Sequence, residues 1–266
     1  MIALLLISGA GAHRAAETAF WSRVEPVVAE ARSERLRDFA AAHWARLSGA
    51  AAPAAAQAAA LQRADVLYPG LEARPWHDAR EFAWSGAVEG AAAVVERELD
   101  AALLRPAAGD WRSTSTRLLE GDTSAFARLV LRDDRGPTAA GRDSFPGTLA
   151  ALGGVPLAPR PVAVNRQGPR SGLGEHTDNM NFVLTAHLGL RGCGAATRFV
   201  VGGRRRSWTT GALLVADTSF LHSTANDSRR ARYVLSFAVW HPDLSLRERR
   251  GILRLHDALR GFEAAA

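Results

Sequence analysis

The sequence predicts an α+β fold, in which helices come first and a series of β-strands follows as a sandwich or small barrel. Apolar residues recur at helical spacing in two segments that lie before residue 105. Short segments rich in β-branched and aromatic residues then follow, each bounded by turn residues. With 266 residues and a hydrophobic fraction of 47%, the chain is long and apolar enough to build a core.

The first helical segment spans residues 15–47, where apolar side chains recur at helical spacing. Pro26 predicts a break in this segment, because proline lacks the amide hydrogen that a helix interior uses. The Ala-rich stretch at 48–62 is interpreted as a linker or an exposed helix. A second helix is predicted from Ser85 to Leu104, because its apolar residues fall on one face.

The later part of the chain is predicted to form strands. The segments concerned are "FARLVLRDD", "PVAVNR", "MNFVLTAHLGL", "ATRFVVGG", "GALLVADT" and "RYVLSFAVW". Between two of them, Gly202-Gly203 and the following Arg204–Arg206 are interpreted as a solvent-exposed hairpin turn.

Three units are predicted along the chain. They are an N-terminal helical and low-complexity extension at 1–64, a β-rich domain at 65–250 and a C-terminal helical tail at 251–266. The first residues, "MIALLLISGAGAHRA", have the apolar run and small residues of a signal peptide but no basic segment before the run. A secreted and a cytoplasmic chain therefore both remain open. No segment is long and apolar enough to predict a transmembrane helix.

The positive charge of the chain does not indicate nucleic-acid binding. The net charge is +6, yet all 33 basic residues are Arg, they are scattered along the chain, and no nucleic-acid-binding module is recognisable. Cys193 is the only cysteine, which excludes an intrachain disulfide and a thiolate metal cluster.

Three residues in the strand-like part of the chain form a candidate metal site. His176 and Asp178 are two residues apart, so on a strand both side chains face one cavity. His222 supplies a second imidazole further along the chain. Two histidines and one carboxylate are the ligand set of non-haem Fe(II), and they leave positions open for O2 and a co-substrate. The pattern predicts an Fe(II) site, although Asp178 could instead be a solvent-exposed carboxylate at a strand end.

Arg232 points to a co-substrate. It follows His222 by ten residues, with the turn sequence "NDSRR" between them, so the two are expected on adjacent strands. Arg232 shares a strand face with Val234, Ser236 and Ala238, whereas the alternate residues are uniformly apolar. A cation on the inner face needs an anionic partner, and a carboxylate suits the guanidinium fork. A dicarboxylate that chelates iron at one end and meets Arg232 at the other fits, which predicts 2-oxoglutarate.

Several segments resemble the aspartyl/asparaginyl β-hydroxylase family, in matching order and spacing over about residues 66–250. They are "YPGLEARPWHD", "FPGTL", "HTDNMNFVLTAHLGL", "WTTGALLVADTSFLHSTAND" and "RYVLSFAVWHPDL". The resemblance implies a double-stranded β-helix, a jelly-roll or cupin-like barrel with flanking helices. It makes the unit at 65–250 an oxygenase domain that uses Fe(II), 2-oxoglutarate and O2.

The resemblance also implies roles for individual residues. By position, His176 and His222 match the two iron-binding histidines of the family, and Arg232 and His187 match residues that hold 2-oxoglutarate. From the residues alone, His187 is better explained as a histidine of the core. Asn165 falls where the family has a hydroxyl residue at the co-substrate. A sixth residue, Asp217, lies in a strand–turn motif of the family and is expected to orient a histidine.

Two departures from the family pattern bear on the substrate. Asp178 stands where the animal peptide hydroxylases have Gly, whereas the carboxylate is present in the proline hydroxylases grouped nearby. Val183 and Thr185 stand where the family has two arginines, one of which meets the acidic side chain of the substrate in the peptide hydroxylases. The carboxylate favours a full metal triad and argues against halogenation, whereas the absence of the arginines puts specificity for Asp or Asn in doubt.

Three functions therefore remain open. The first is β-hydroxylation of a peptidyl Asp or Asn residue. The second is hydroxylation of a free or carrier-bound amino acid, which the two departures favour. The third is a non-catalytic metal-binding barrel that acts as a sensor or scaffold. Arg232 argues against the third, because a barrel without turnover need not retain a co-substrate anchor. In the first two the partner is a small-molecule amino acid or a peptide.

Overall fold

The computed structural model describes residues 10–50, 59–64, 66–104, 111–113, 119–120 and 126–263. Residues 1–9, which hold most of the apolar run of the signal-like segment, lie outside the described residues, as does the predicted domain start at Asp65. The division into three units therefore stays a prediction.

Seven α-helices lie within the described residues. They are α1 (Ala10–Ala31), α2 (Glu34–Ser48), α3 (Ser85–Gly90), α4 (Ala92–Leu103), α5 (Ala139–Ser144), α6 (Pro146–Ala151) and α7 (Leu246–Glu263). The helix predicted from Ser85 to Leu104 is divided into α3 and α4 at Ala91. None of the described helices combines the length and the apolar character that a membrane crossing requires.

The N-terminal helical segment divides at Arg32 and Ser33, so the break predicted at Pro26 is wrong. Pro26 lies inside α1, where the neighbouring Val24, Val27 and Val28 are buried in one apolar cluster with residues of α2 and α7. The packing of this face outweighs the loss of one helical hydrogen bond. Arg32 instead takes a positive φ of 49°, and Ser33 caps α2.

Thirteen strands are found in the part of the chain that the structure describes. They are β1 (Trp76–His77), β2 (Trp111–Ser113), β3 (Leu119–Glu120), β4 (Phe126–Asp133), β5 (Gly136–Pro137), β6 (Val162–Gln167), β7 (Ser171–His176), β8 (Val183–Gly189), β9 (Thr197–Val201), β10 (Arg204–Arg206), β11 (Leu213–Ala216), β12 (His222–Asn226) and β13 (Arg232–Trp240). The segments predicted as strands correspond to β4, β6, β8, β9, β11 and β13. The exposed arginines at 204–206 form β10, which pairs with β9 across the Gly202-Gly203 turn.

The strands form two antiparallel sheets. The larger has the order β1-β11-β8-β13-β6-β4-β2, with β5 paired to β4, and the smaller has the order β10-β9-β12-β7-β3. From β6 onward the chain passes back and forth between them: β6, β8, β11 and β13 lie in the larger sheet, and β7, β9, β10 and β12 lie in the smaller. This winding is a double-stranded β-helix, as predicted.

The two faces of the larger sheet have different environments, and β13 illustrates the difference. Leu235, Phe237 and Val239 are buried in the main apolar cluster, which also contains residues of α3 and α4. Arg232, Val234, Ser236 and Ala238 line a cavity. The predicted alternation on this strand is confirmed, and the cavity face is where the polar residues gather.

Candidate functional site

A cavity of about 230 Å³ is lined by residues of both sheets. It brings together every residue that was predicted from the sequence to bind the metal or the co-substrate, namely His176, Asp178, His222, Arg232, His187 and Asn165. It also includes Arg128, Arg160, Thr185 and Thr218, to which the sequence analysis assigned no role at a site.

The two candidate histidine ligands lie opposite each other on paired strands. His222 on β12 is the register partner of His176 on β7, and their ring centroids are 4.1 Å apart. The register shifts beside this pair, because β7 holds one more residue than β12 between this pair and the next pair of the register. Such a bulge re-aims side chains, and here it accompanies two imidazoles that meet.

Backbone carbonyls orient both rings. Nδ1 of His176 lies 2.8 Å from the carbonyl oxygen of Gly174, and Nδ1 of His222 lies 3.0 Å from that of Phe220. A carbonyl can only accept, so each Nδ1 carries the proton and each Nε2 keeps its lone pair. Burial, followed by repulsion from His176, lowers the pKa of His222 to about 4. His222 is therefore neutral at neutral pH, as a metal-ligating imidazole must be.

Asp178 reaches the same place by a different route from the one predicted. Strand β7 ends at His176, so alternation along a strand does not position Asp178. Instead, its amide donates to the carbonyl of Thr218 at 2.8 Å, which fastens the turn after β7 to the segment between β11 and β12. The prediction that Asp178 and His176 face one cavity is right, but the reason is this tertiary hydrogen bond.

Two side chains hold the Asp178 carboxylate, and both bond to Oδ2. The Thr218 hydroxyl donates at 2.7 Å and Nη1 of Arg160 at 2.9 Å. Burial raises the pKa of Asp178, but the charge and hydrogen bond of Arg160 and the other partners outweigh it, so the pKa is lowered overall. Thr185 lies 2.9 Å from the Thr218 hydroxyl and donates to it, because the Thr218 proton is already used. The carboxylate is thus ionised and oriented.

The three groups together can hold a metal ion. One ligand atom from each of His176, Asp178 and His222 lies within 4.8 Å of the others. The set offers two imidazole nitrogens and one carboxylate oxygen, which is the donor set of the facial triad. Asp217 does not orient these histidines, because its carboxylate accepts from Ser219 and Gln62.

Arg232 is a buried cation whose hydrogen bonds are incomplete. Its side chain is 2% exposed and stacks over the Trp208 ring at 3.9 Å. Nη2 donates to the Gln167 side chain, but Nε and Nη1 have no acceptor among the described residues. Burial lowers the pKa of Arg232 to about 10, so the group remains charged at neutral pH. Arg232 lies on β13 of the larger sheet and His222 lies on β12 of the smaller sheet. The prediction that the two residues lie on adjacent strands of one sheet is therefore wrong.

His187 and Asn165 complete the polar face of the larger sheet. The Trp208 indole N–H donates to Nδ1 of His187 at 3.3 Å, which leaves Nε2 as the protonated nitrogen. Burial, followed by repulsion from Arg232, lowers the pKa of His187 to about 3. Asn165 accepts from Nε of Arg128 at 3.2 Å. His187 is therefore a neutral donor, and Asn165 links the cavity to a second arginine.

The sequence held a signal for Arg128 but none for Arg160. Arg128 is a charged residue in a largely apolar strand, as Arg232 is, and the opposite face of that strand carries Leu129 and Leu131, which are buried in the core. Arg160 lies between two prolines, where no periodicity applies. Only the folded chain brings Arg160 to Asp178.

Comparisons with known proteins show the family of the chain. The profile of the family described as Aspartyl/Asparaginyl beta-hydroxylase matches residues 89–242. The human protein named aspartyl/asparaginyl beta-hydroxylase is 25% identical over 197 residues, which cover 69% of this chain and 25% of that protein. The rat aspartate beta-hydroxylase domain-containing protein 2 is 32% identical over 90 residues, 32% of this chain and 25% of that protein. The chain thus spans about a quarter of the length of these relatives.

Among solved structures, a cupin 2 conserved barrel domain protein from Salinispora arenicola matches with a TM-score of 0.34 and 13% identity. The match covers 57% of this chain and 96% of that one. The family profile covers more than half of the 266 residues, and all six candidate site residues lie inside the matched range. On this match the chain belongs to the aspartyl/asparaginyl beta-hydroxylase family.

Proposed function

We propose that this protein is an Fe(II)- and 2-oxoglutarate-dependent dioxygenase that hydroxylates an amino acid or a peptidyl Asp- or Asn-type residue. The observation that carries the proposal is the incomplete bonding of Arg232 in the same cavity as the His176, Asp178 and His222 cluster. A buried guanidinium with two free donors is costly unless an anionic ligand meets it.

A carboxylate fits Arg232 well. The planar fork of arginine matches the two oxygens of a carboxylate, and the side chain is already fixed by Trp208 and Gln167. Little conformational entropy is then lost when the ligand binds. A ligand that also reached the metal cluster would need a second donor group at its other end, which a 2-oxo acid dicarboxylate has.

The metal cluster fits Fe(II) in its donor chemistry. His176, Asp178 and His222 would hold the ion through two imidazole nitrogens and one carboxylate oxygen, and a triad of this kind leaves positions for other ligands. When bound, Fe(II) and 2-oxoglutarate together supply the chemistry that activates O2 for hydroxylation.

The residues around the cluster position it and keep it dry. The carbonyls of Gly174 and Phe220 hold the rings with Nε2 available, and Thr218 and Arg160 hold the carboxylate. The aromatic residues Phe126 and Phe199 also line the cavity and supply apolar surface beside these groups. His187 offers its Nε2 proton to an anionic oxygen in the cavity.

The proposal is tested by measuring succinate formation with Fe(II), 2-oxoglutarate and O2. The assay is run with free amino acids in one set and with Asp- or Asn-containing peptides in another. We expect succinate to rise with one of the two sets and to need added Fe(II). Iron binding without succinate in either set would contradict the proposal and favour a sensor or scaffold.

A further inference from the structure

Arg128 is a second arginine on the cavity face of the larger sheet. It lies on β4, where it is the register partner of Asn165 on β6, and Asn165 in turn pairs with Val234 on β13. Residues directly opposite in a sheet share a face, so Arg128 stands on the same side as Val234, which lines the cavity. Arg128 therefore faces the cavity two strands away from the strand of Arg232.

The outer end of the Arg128 guanidinium has no internal use. Nε donates to Asn165, which fixes the direction of the side chain. In the described part of the chain, no residue accepts a hydrogen bond from Nη1 or Nη2 of Arg128. Arg128 is only partly buried, unlike Arg232, so an entering molecule can reach these two nitrogens.

Arg160 adds a second positive charge beside Arg128. Arg160 uses Nη1 to hold Asp178, and both arginines line the same cavity. Burial, followed by repulsion from Arg160, lowers the pKa of Arg128, whereas Asp178 acts in the opposite sense. Two arginines that repel each other at a cavity wall are a recurrent arrangement for binding an anion.

The net positive charge of the cavity also favours the binding of a further anion. Its charged side chains are three arginines and one aspartate. A divalent metal would add two positive charges, and 2-oxoglutarate would remove two. The loaded cavity would still carry the excess charge of two arginines, which a substrate carboxylate would reduce.

We propose that Arg128, with Arg160 beside it, forms the substrate subsite of this cavity and binds a carboxylate of the molecule to be hydroxylated. The inference rests on the proposed function, in which Arg232 takes the carboxylate of the co-substrate. Val183 and Thr185 on β8 cannot supply such a subsite, because neither is cationic and the Thr185 hydroxyl is used on Thr218.

The carboxylate could come from two sources, and three probes separate them. N-acetyl-L-aspartate N-methylamide has only the side-chain carboxylate of a peptidyl residue. Free L-asparagine has only the α-carboxylate of an amino acid. N-acetyl-L-asparagine N-methylamide has neither and serves as the neutral reference.

The test measures binding of each probe by calorimetry to the full chain held with 2-oxoglutarate and without added iron, so that turnover is not needed. We expect one of the two carboxylate probes to bind and the neutral probe to bind much more weakly. Arg128→Gln should lower the affinity for the probe that binds by roughly 10- to 100-fold, which corresponds to the loss of a charge-assisted hydrogen bond. Its effect on the affinity for 2-oxoglutarate should be far smaller.

Arg132→Gln is the matched control, because Arg132 lies on the same strand but is exposed and outside the cavity lining. It should bind the probe as the wild type does. If Arg128→Gln does not fold, Arg128→Lys is tested instead. Lysine keeps the charge but lacks the planar guanidinium fork, so the affinity for the probe should fall by a smaller factor.

Equal probe affinities in wild type and Arg128→Gln would overturn the subsite, and so would a loss in Arg128→Gln that falls on 2-oxoglutarate instead. Failure of the proposed function would look different. In that case 2-oxoglutarate itself would not bind to the wild type, whatever residue stands at position 128.

Discussion

Glu248 in the helices and Arg232 in the barrel are both buried charged groups, but they differ in whether their hydrogen bonds are complete. In the helical layer, Glu248 of α7 has a carboxylate in which both oxygens are used. It accepts hydrogen bonds of 2.7 to 2.9 Å from the side chains of Arg35, Ser33, Tyr68 and Ser245. These bonds connect α2, the loop before β1 and the start of α7, so their effect is to fix the helices against the barrel.

In the barrel, Arg232 is buried at least as deeply but keeps Nε and Nη1 without an acceptor among the described residues. A folded chain stabilises itself by closing such bonds, as it does around Glu248. The open donors at Arg232 therefore reduce stability, and a ligand that closes them regains it. In this fold, the completeness of hydrogen bonding thus distinguishes the ion pair at Glu248 from the proposed co-substrate site at Arg232.

The largest expected effect comes from removing a candidate metal ligand. His222→Ala should abolish iron-dependent turnover, because two remaining ligands bind Fe(II) weakly and do not fix its geometry. The barrel should stay folded, since alanine keeps the backbone pairing of His222 with β7 and β9, and among the described residues the lost side chain hydrogen-bonds only to the Phe220 carbonyl. Iron binding and thermal unfolding are measured on the same sample. Full activity of His222→Ala at limiting iron would remove the metal assignment.

Asp178→Gly tests whether the carboxylate is the third ligand. The substitution gives the residue found in the animal peptide hydroxylases, but the Thr218 and Arg160 side chains that hold the carboxylate remain. We expect weaker Fe(II) binding and little hydroxylation, because Arg160 is left as an unpaired cation near the metal. Iron affinity and succinate yield are compared with wild type. If both are equal, the protein uses two histidines alone.

The variants Arg232→Ala and Glu248→Gln compare the two buried charged groups. Arg232→Ala should weaken 2-oxoglutarate binding by roughly 2–5 kcal/mol while changing the free energy of unfolding little, since the lost cation was incompletely bonded. Glu248→Gln should lower the free energy of unfolding by roughly 1–3 kcal/mol and leave co-substrate affinity unchanged. Co-substrate titration and chemical denaturation are run on both variants. Unchanged co-substrate affinity in a folded Arg232→Ala would make Arg232 a structural residue.

The smallest expected effect is on the pH dependence of stability. The pKa of His187 falls from 6.5 to about 3 in the folded chain, so the unfolded chain binds a proton first and stability falls as the pH drops below about 6.5. Burial raises the pKa of Glu248, but its hydrogen bonds with Arg35, Ser245 and Tyr68 bring it from 4.5 to about 2, so its contribution is lost only below about pH 4.5.

The two variants His187→Gln and Glu248→Gln distinguish the pH ranges in which these two groups affect stability. Between pH 6.5 and 5, His187→Gln should reduce the slope of unfolding free energy against pH by up to about 1.4 kcal/mol per pH unit, whereas Glu248→Gln should leave it unchanged. Denaturation midpoints across this range give the slopes. An unchanged slope in His187→Gln would mean that His187 is protonated alike in the folded and unfolded chains.

The sequence by itself determined the elements and the polarity of their faces. Alternation in "RYVLSFAVW" predicted that Arg232 faces inward and Leu235 outward, because side chains of a strand point to opposite sides whatever the surrounding fold. The two-residue spacing of His176 and Asp178, together with the distal His222, carried the metal prediction. The sequence could not predict that Pro26 would remain inside α1, because the packing that outweighs the lost helical hydrogen bond comes from α2 and α7.

The tertiary structure decided how the site is completed. Asp178 lies beyond the end of β7 and is brought to the histidines by a backbone bond to Thr218, forty residues away in the chain. Arg160 and Arg128 meet at the cavity from separate segments, and neither position has a periodic signal that names its partner. Local pattern fixes the direction of a side chain on its own strand, because it depends on neighbouring dihedral angles. Which charges meet depends on sheet order and on how loops fasten across it, and only the folded chain determines those.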